Sequence, residues 1–64
     1  MAYRDYIENL RNKFIGKKVK YEGREYTIAA VDYNGVIHID KPSQFTETTA
    51  VYDAYEAELN LVGA

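Results

Sequence analysis

The chain has 64 residues, a net charge of −2, no Cys and 47% apolar residues. That length allows one small domain, and the missing Cys excludes disulfides and thiolate metal sites. The longest apolar run, Ile28 to Val31, falls far short of the roughly 20 residues a membrane helix needs, and the charged N-terminal residues form no signal-peptide core. A soluble, cytoplasmic protein with a single domain over residues 1–64 is expected. A chain this small buries only about 60% of its unfolded surface, which favours assembly as a second source of stability.

Charge is segregated along the chain. Residues 1–24 carry seven Lys/Arg against three Asp/Glu, whereas residues 25–64 carry one Lys against seven acids. The basic part is densest from Arg11 to Arg24, where Arg11, Lys13, Lys17, Lys18, Lys20 and Arg24 face only Glu22. Such a segment either steers towards phosphate or pairs with the acidic half of its own chain or a neighbour.

In chain order, Tyr3, Tyr6, Ile7, Leu10 and Phe14 fall on one stripe of a helix over residues 2–14, with Asp5 and Glu8 early, Lys13, Lys17 and Lys18 late, and Gly16 placed to stop it. From Lys17 the period changes to 2. Val19 and Tyr21 alternate with Lys18, Lys20 and Glu22 on a strand over 17–22; Gly23 turns the chain; Tyr26, Ile28 and Ala30 alternate along 25–33. Asn34-Gly35 predicts a type I′ hairpin turn into a strand over 36–41, with Ile37 and Ile39 inward and His38 and Asp40 outward. Pro42 ends that strand, and a polar connection carries one apolar residue, Phe45.

The last third fits two patterns. Tyr55, Ala57, Leu59 and Leu61 alternate with polar residues, while Val51, Tyr55, Leu59 and Val62 fit a helical stripe. The β-branched run at Thr48 to Val51, followed by a tight Asp53-Ala54 step, favours strands over 47–52 and 55–62. The fold class expected is mainly β: an N-terminal helix followed by a five-stranded, strongly bent antiparallel SH3-like barrel over residues 17–62.

This order of elements resembles the Sm-like superfamily, which includes bacterial Hfq and the LSm proteins. Val19-Lys20-Tyr21-Glu22-Gly23 looks like the family's first-strand pattern, Val31-Asp32 like the end of its second strand, and Val51-Tyr52-Asp53-Ala54-Tyr55 stands where Hfq has its Val-Tyr-Lys-His step. The family's basic step is here Asp53-Ala54, and Ile28 stands near the place of a bend-permitting strand Gly. The resemblance implies a homo-oligomeric ring in which the fourth strand of one subunit pairs with the fifth of the next, through Thr48, Ala50 and Tyr52 on one side and Tyr55, Ala57, Leu59 and Leu61 on the other.

It also implies RNA or other nucleic-acid binding, expected where Lys17, Lys18, Lys20 and Arg24 approach Tyr33 or Tyr52, with Asn34 in the loop where LSm proteins often carry a base-reading Asn. Tyr3, Tyr6, Tyr21 and Tyr26 have the period to face inward. His38 is the one imidazole, and with Asp32 and Asp40 as neighbours it reads as a structural strand residue rather than a catalytic one. No catalytic residue, metal site or cofactor is expected. The rival reading is an SH3-like protein-interaction module of the phage or plasmid type, without nucleic-acid binding, using an acidic face around Glu47, Asp53, Glu56 and Glu58.

Overall fold

A computed structural model describes residues 2–63. Helix α1 (Tyr3–Phe14) is followed by strands β1 (Lys18–Tyr21), β2 (Arg24–Val31), β3 (Ile37–Ile39) and β4 (Thr49–Tyr52), then by a short helix α2 (Ala54–Leu59). The strands form one curled antiparallel sheet in the order β1-β2-β3-β4.

Ile7, Leu10 and Phe14 are the buried stripe of α1, at i, i+3 and i+7. Phe14 is 1% exposed, and truncating it to Ala costs about 3–5 kcal/mol, most of what a domain this small possesses. Gly16, at φ +90°, stops the helix and turns its N–H to the Ile28 carbonyl, so the chain enters the sheet at once. The first turn of α1 overhangs the core: Tyr3 and Tyr6, expected inside, are 48% and 45% exposed.

β1 and β2 form a two-residue hairpin whose loop, Glu22-Gly23, has positive φ at both positions, 52° and 78°. The type I′ turn expected at Asn34-Gly35 is absent, because only Gly35 has positive φ there. Gly35 N–H donates to the Asp32 carbonyl and Asp32 N–H to that of Val36, the bonding of a three-residue loop with a left-handed Gly. The Asp32 carboxylate selects this loop by accepting the N–H groups of Asn34 (2.8 Å) and Val36 (3.0 Å). A Cβ at Gly35 would lie 3.7 Å from Leu10 Cδ1, so the loop sits directly under α1.

β2 pairs with β1 along its first half and with β3 along its second. Between Ile28 and Ala30 the register shifts, and the buried positions change phase from Ile28 to Val31. This bulge at Ala29-Ala30 bends the sheet without a strand glycine. A second irregularity lies between Ile37 and His38 where β3 meets β4. Strand β3 is shorter than the expected 36–41, since Asp40 turns its carboxylate back to the Thr27 N–H, and β4 begins only at Thr49.

The fifth strand expected over 55–62 is not formed. Residues 54–59 are helical because Asp53 and Glu56 make a capping box: Asp53 Oδ1 accepts the Glu56 N–H at 2.8 Å and Glu56 reaches back to the Asp53 N–H. The helix turns Ala57 into the core, fully buried, and leaves Tyr55 and Leu59 outside. Only Leu61 keeps a strand-like role, in an isolated bridge to Val19 flanked by Lys20 N–H to Asn60 O (2.9 Å) and Val62 N–H to Lys18 O (2.9 Å). Residues 60–62 thereby cover the free edge of β1 and draw the curled sheet towards closure.

Asp53→Ala removes the cap and is expected to cost about 1 kcal/mol, lowering the melting temperature by about 4–8 °C. Glu56→Gln, which preserves both capping contacts, is expected to be near neutral; thermal unfolding followed by circular dichroism checks both.

Candidate nucleic-acid interface

The expected cationic residues divide between the two faces of one hairpin. Lys18 and Lys20 flank the fully buried Val19 and so point away from the core, sharing their outer face with their cross-strand partners Thr27 and Glu25. Arg24 stands opposite Tyr21, on the core side, at the exposed end of the hairpin. Lys17 precedes β1 and is exposed. Among the described residues none of these four cations lies within 4.0 Å of a carboxylate, whereas Lys13 pairs with Glu58 at 3.1 Å.

Tyr52 joins this end of the molecule. Its hydroxyl donates to the Lys20 carbonyl at 2.8 Å, and its ring meets Tyr21 edge to face at 5.9 Å between centroids; Tyr21 meets Tyr26 at 6.3 Å. The three half-buried rings plug the open end of the core. The neighbouring Glu22 carboxylate pushes the Tyr21 phenol above its ordinary value.

Tyr33 and Asn34 are elsewhere. They lie beyond Val31 at the far end of β2, up to about 23 Å of strand from Arg24. Tyr33, 61% exposed, forms a second aromatic group with the helix: Tyr3 Oη donates to the Tyr33 carbonyl at 2.6 Å, and the Tyr3 ring lies 5.1 Å from Tyr33 and 6.0 Å from Tyr6. The structure brings Lys20, Arg24 and Tyr52 to one end and leaves Tyr33 and Asn34 at the other. Tyr3 and Tyr6 escaped the sequence reading because the stripe is helical from its first residue, and periodicity does not reveal where the sheet beneath a helix stops. Phe45, 88% exposed on the β3–β4 connection, was visible in sequence as the single apolar residue of a polar stretch.

The seven residues expected at a subunit interface scatter. Ala50 is exposed on β4, and Tyr55 and Leu59 are exposed on α2. Ala57 is core and Leu61 packs against it, so neither presents a strand edge. Thr48 turns its hydroxyl to His38 Nδ1 at 3.4 Å, and Tyr52 belongs to the aromatic plug.

His38 connects two polar neighbours. Its Nε2 lies 3.0 Å from Asp32 Oδ2, and on the outer face of the sheet it is flanked across the register by Ala30 and Ala50. The carboxylate accepts, so Nε2 carries hydrogen, and Nδ1 faces the Thr48 hydroxyl. Asp32 spends its other oxygen on the turn amides, so this carboxylate–imidazole–hydroxyl chain ties the β2–β3 turn, β3 and the entry to β4 together. The His38 contact, then the Val36 N–H, hold the Asp32 carboxyl below its ordinary value of 3.8.

Comparison of the chain with protein-family models, with curated proteins and with solved structures finds no match.

Because folding lowers the Asp32 pKa, the unfolded chain binds more protons than the folded one in the range just below and around pH 3.8. The stabilisation is complete above the unfolded value and is lost as pH falls through the lower, folded one. Asp32→Asn keeps an acceptor for the turn but cannot titrate, so its stability is expected to change less over this acid range, as read by urea unfolding at successive pH values.

Proposed function

We propose that this chain is a small SH3-like barrel module, of the Sm-like kind its sequence resembles, that binds RNA or another polyanion through the β1–β2 hairpin. What supports the barrel reading is the bent β2, together with the return of residues 60–62 to the first strand. What carries the ligand reading is a single observation: Lys17, Lys18, Lys20 and Arg24 cluster on and beside one hairpin and, among the described residues, none lies within 4.0 Å of a carboxylate. Cations left unpaired in a protein of net charge −2 are available to phosphates, and a polyanion that binds them gains by releasing its condensed counterions into bulk solution. Tyr52 lies at the same end as Lys20 and Arg24, and a base stacked on its ring face adds to phosphate contact.

A second reading, the protein-interaction module, is favoured by Phe45. It stands out from a turn fixed by hydrogen bonds of Ser43 N–H to the Thr46 carbonyl (2.8 Å) and Thr46 N–H to Ser43 Oγ (3.1 Å). An aromatic anchor on a preorganised turn loses little entropy on entering a partner's pocket. The two readings separate on nuclease treatment: a partner protein captured through Phe45 stays bound, and one captured through RNA is released.

For the leading reading, fluorescence anisotropy of labelled U-rich and A-rich oligoribonucleotides is expected to show binding at low salt. With four phosphates neutralised, log K should fall against log salt with a slope of about −3. Lys18→Glu with Lys20→Glu is expected to weaken binding at least tenfold and flatten the slope. No anisotropy change at low salt with micromolar protein overturns the reading.

A further inference from the structure

Assembly through strands is limited by how many strand edges a chain leaves open. One edge of this sheet, that of β1, is occupied by residues 60–62 through the bonds of Lys20 N–H to Asn60 O and Val62 N–H to Lys18 O. The other, that of β4, has no strand beside it among the described residues. A ring needs two different edges on every subunit, one to give and one to receive. With 54–59 helical, the receiving edge is missing, and this chain retains one. A single edge can be satisfied by strand pairing between copies only by meeting itself, about a two-fold axis.

We infer that the chain assembles as a two-fold dimer by antiparallel pairing of the β4 edges of two copies. The edge is suited to it. Thr49–Tyr52 carries no Lys and no Pro to block an incoming strand, and Ala50, exposed at its middle, puts only a methyl group beside the partner. Four residues of edge are too little alone, since a stable interface takes about 800 Å² from each partner, against a total surface of 4547 Å² here. Tyr55 and Leu59 add exposed apolar surface to it. They lie one turn apart on α2, which leaves β4 after Asp53, and at 71% and 68% exposed they are apolar surface in need of cover. The occupant is a second copy rather than a free peptide because a two-fold contact uses this edge and these side chains twice, doubling the apolar area buried.

The charges set the sign of the salt response. Glu47, Asp53 and Glu56 are exposed on and around β4, so a two-fold axis there brings like charges together. Screening relieves that repulsion, and the dimer should tighten as salt rises, opposite to the salt response of polyanion binding. The inference does not depend on the polyanion reading; RNA binding can fail without touching it.

The test is light scattering on a sizing column over a wide range of protein concentration, at low and high salt, with Ala50→Lys, Leu59→Lys and the distal Tyr33→Ala. A mass of twice 7.4 kDa is expected, with the dimer fraction rising with salt. Both lysine variants should be monomeric with unchanged circular dichroism, and Tyr33→Ala should remain dimeric. If Ala50→Lys fails to fold, Leu59→Lys decides, together with amide exchange, in which β4 protection should rise with protein concentration. A wild-type monomer, a trimer or larger ring, a dimer that weakens with salt, or one indifferent to the folded lysine variants overturns the inference.

Discussion

The bend in β2 is the constraint on which the rest of the structure depends. An eight-residue strand that stayed straight could pair with β1 or with β3 along its length, but it could not hold both in a curl around one small core. The shift between Ile28 and Ala30 solves this by letting the first half serve β1 and the second half β3, while Ile28 and Val31 both remain buried. Two consecutive small residues, Ala29 and Ala30, allow the bulge with little steric cost. Once the sheet curls, its concave side is narrow enough for Ile7, Leu10 and Phe14 to fill from one short helix, and its two ends approach closely enough for Tyr52 to reach the Lys20 carbonyl.

The polar contacts follow from that geometry. A curled sheet with short strands leaves many backbone donors outside the ladders, and side-chain oxygens satisfy them: Asp32 takes two amides of its turn, Asp40 takes that of Thr27, and Asp53 takes that of Glu56. Each is a short carboxylate placed within a few residues of a turn, where it competes well with water for a nearby N–H. His38 then links one of these turns to Thr48, so the outer face of β3 is held by side chains where the ladder itself is only three residues long.

How much of this was legible in the sequence depends on whether one face or two were needed to decide an element. Helix α1 and strands β1 and β3 each carry a pattern with one buried face, and their positions follow from it, while in β2 the phase shifts at Ala29-Ala30. The last third fails because Tyr55, Ala57, Leu59 and Leu61 read as one face of a strand, although Ala57 alone is fully buried and Tyr55 and Leu59 point to solvent. The deciding signal was local, Asp53 followed three residues later by Glu56, and a capping box outweighs alternation over so short a stretch. At Asn34-Gly35 the dipeptide was right for a turn and wrong for its type, because the carboxylate one residue before Tyr33 changes which loop is cheapest. For the candidate site, the basic segment was legible as a run of charge, but which face each cation takes depends on the register, and the separation of Tyr33 from Arg24 depends on the full length of β2.

Net charge misdescribes this surface. Of the seven acids in residues 25–64, five are engaged: Asp32, Asp40, Asp53 and Glu56 on backbone amides, and Glu58 on Lys13. The cations of the β1–β2 hairpin make no such contacts among the described residues. Acids that build turns and caps are fixed close to the backbone and partly neutralised by its dipoles, whereas lysines on an outer strand face carry their charge into solvent at the ends of long stems. A chain of pI about 5.2 can therefore present a locally positive hairpin, because its negative charge is largely spent on holding the fold and its positive charge is not.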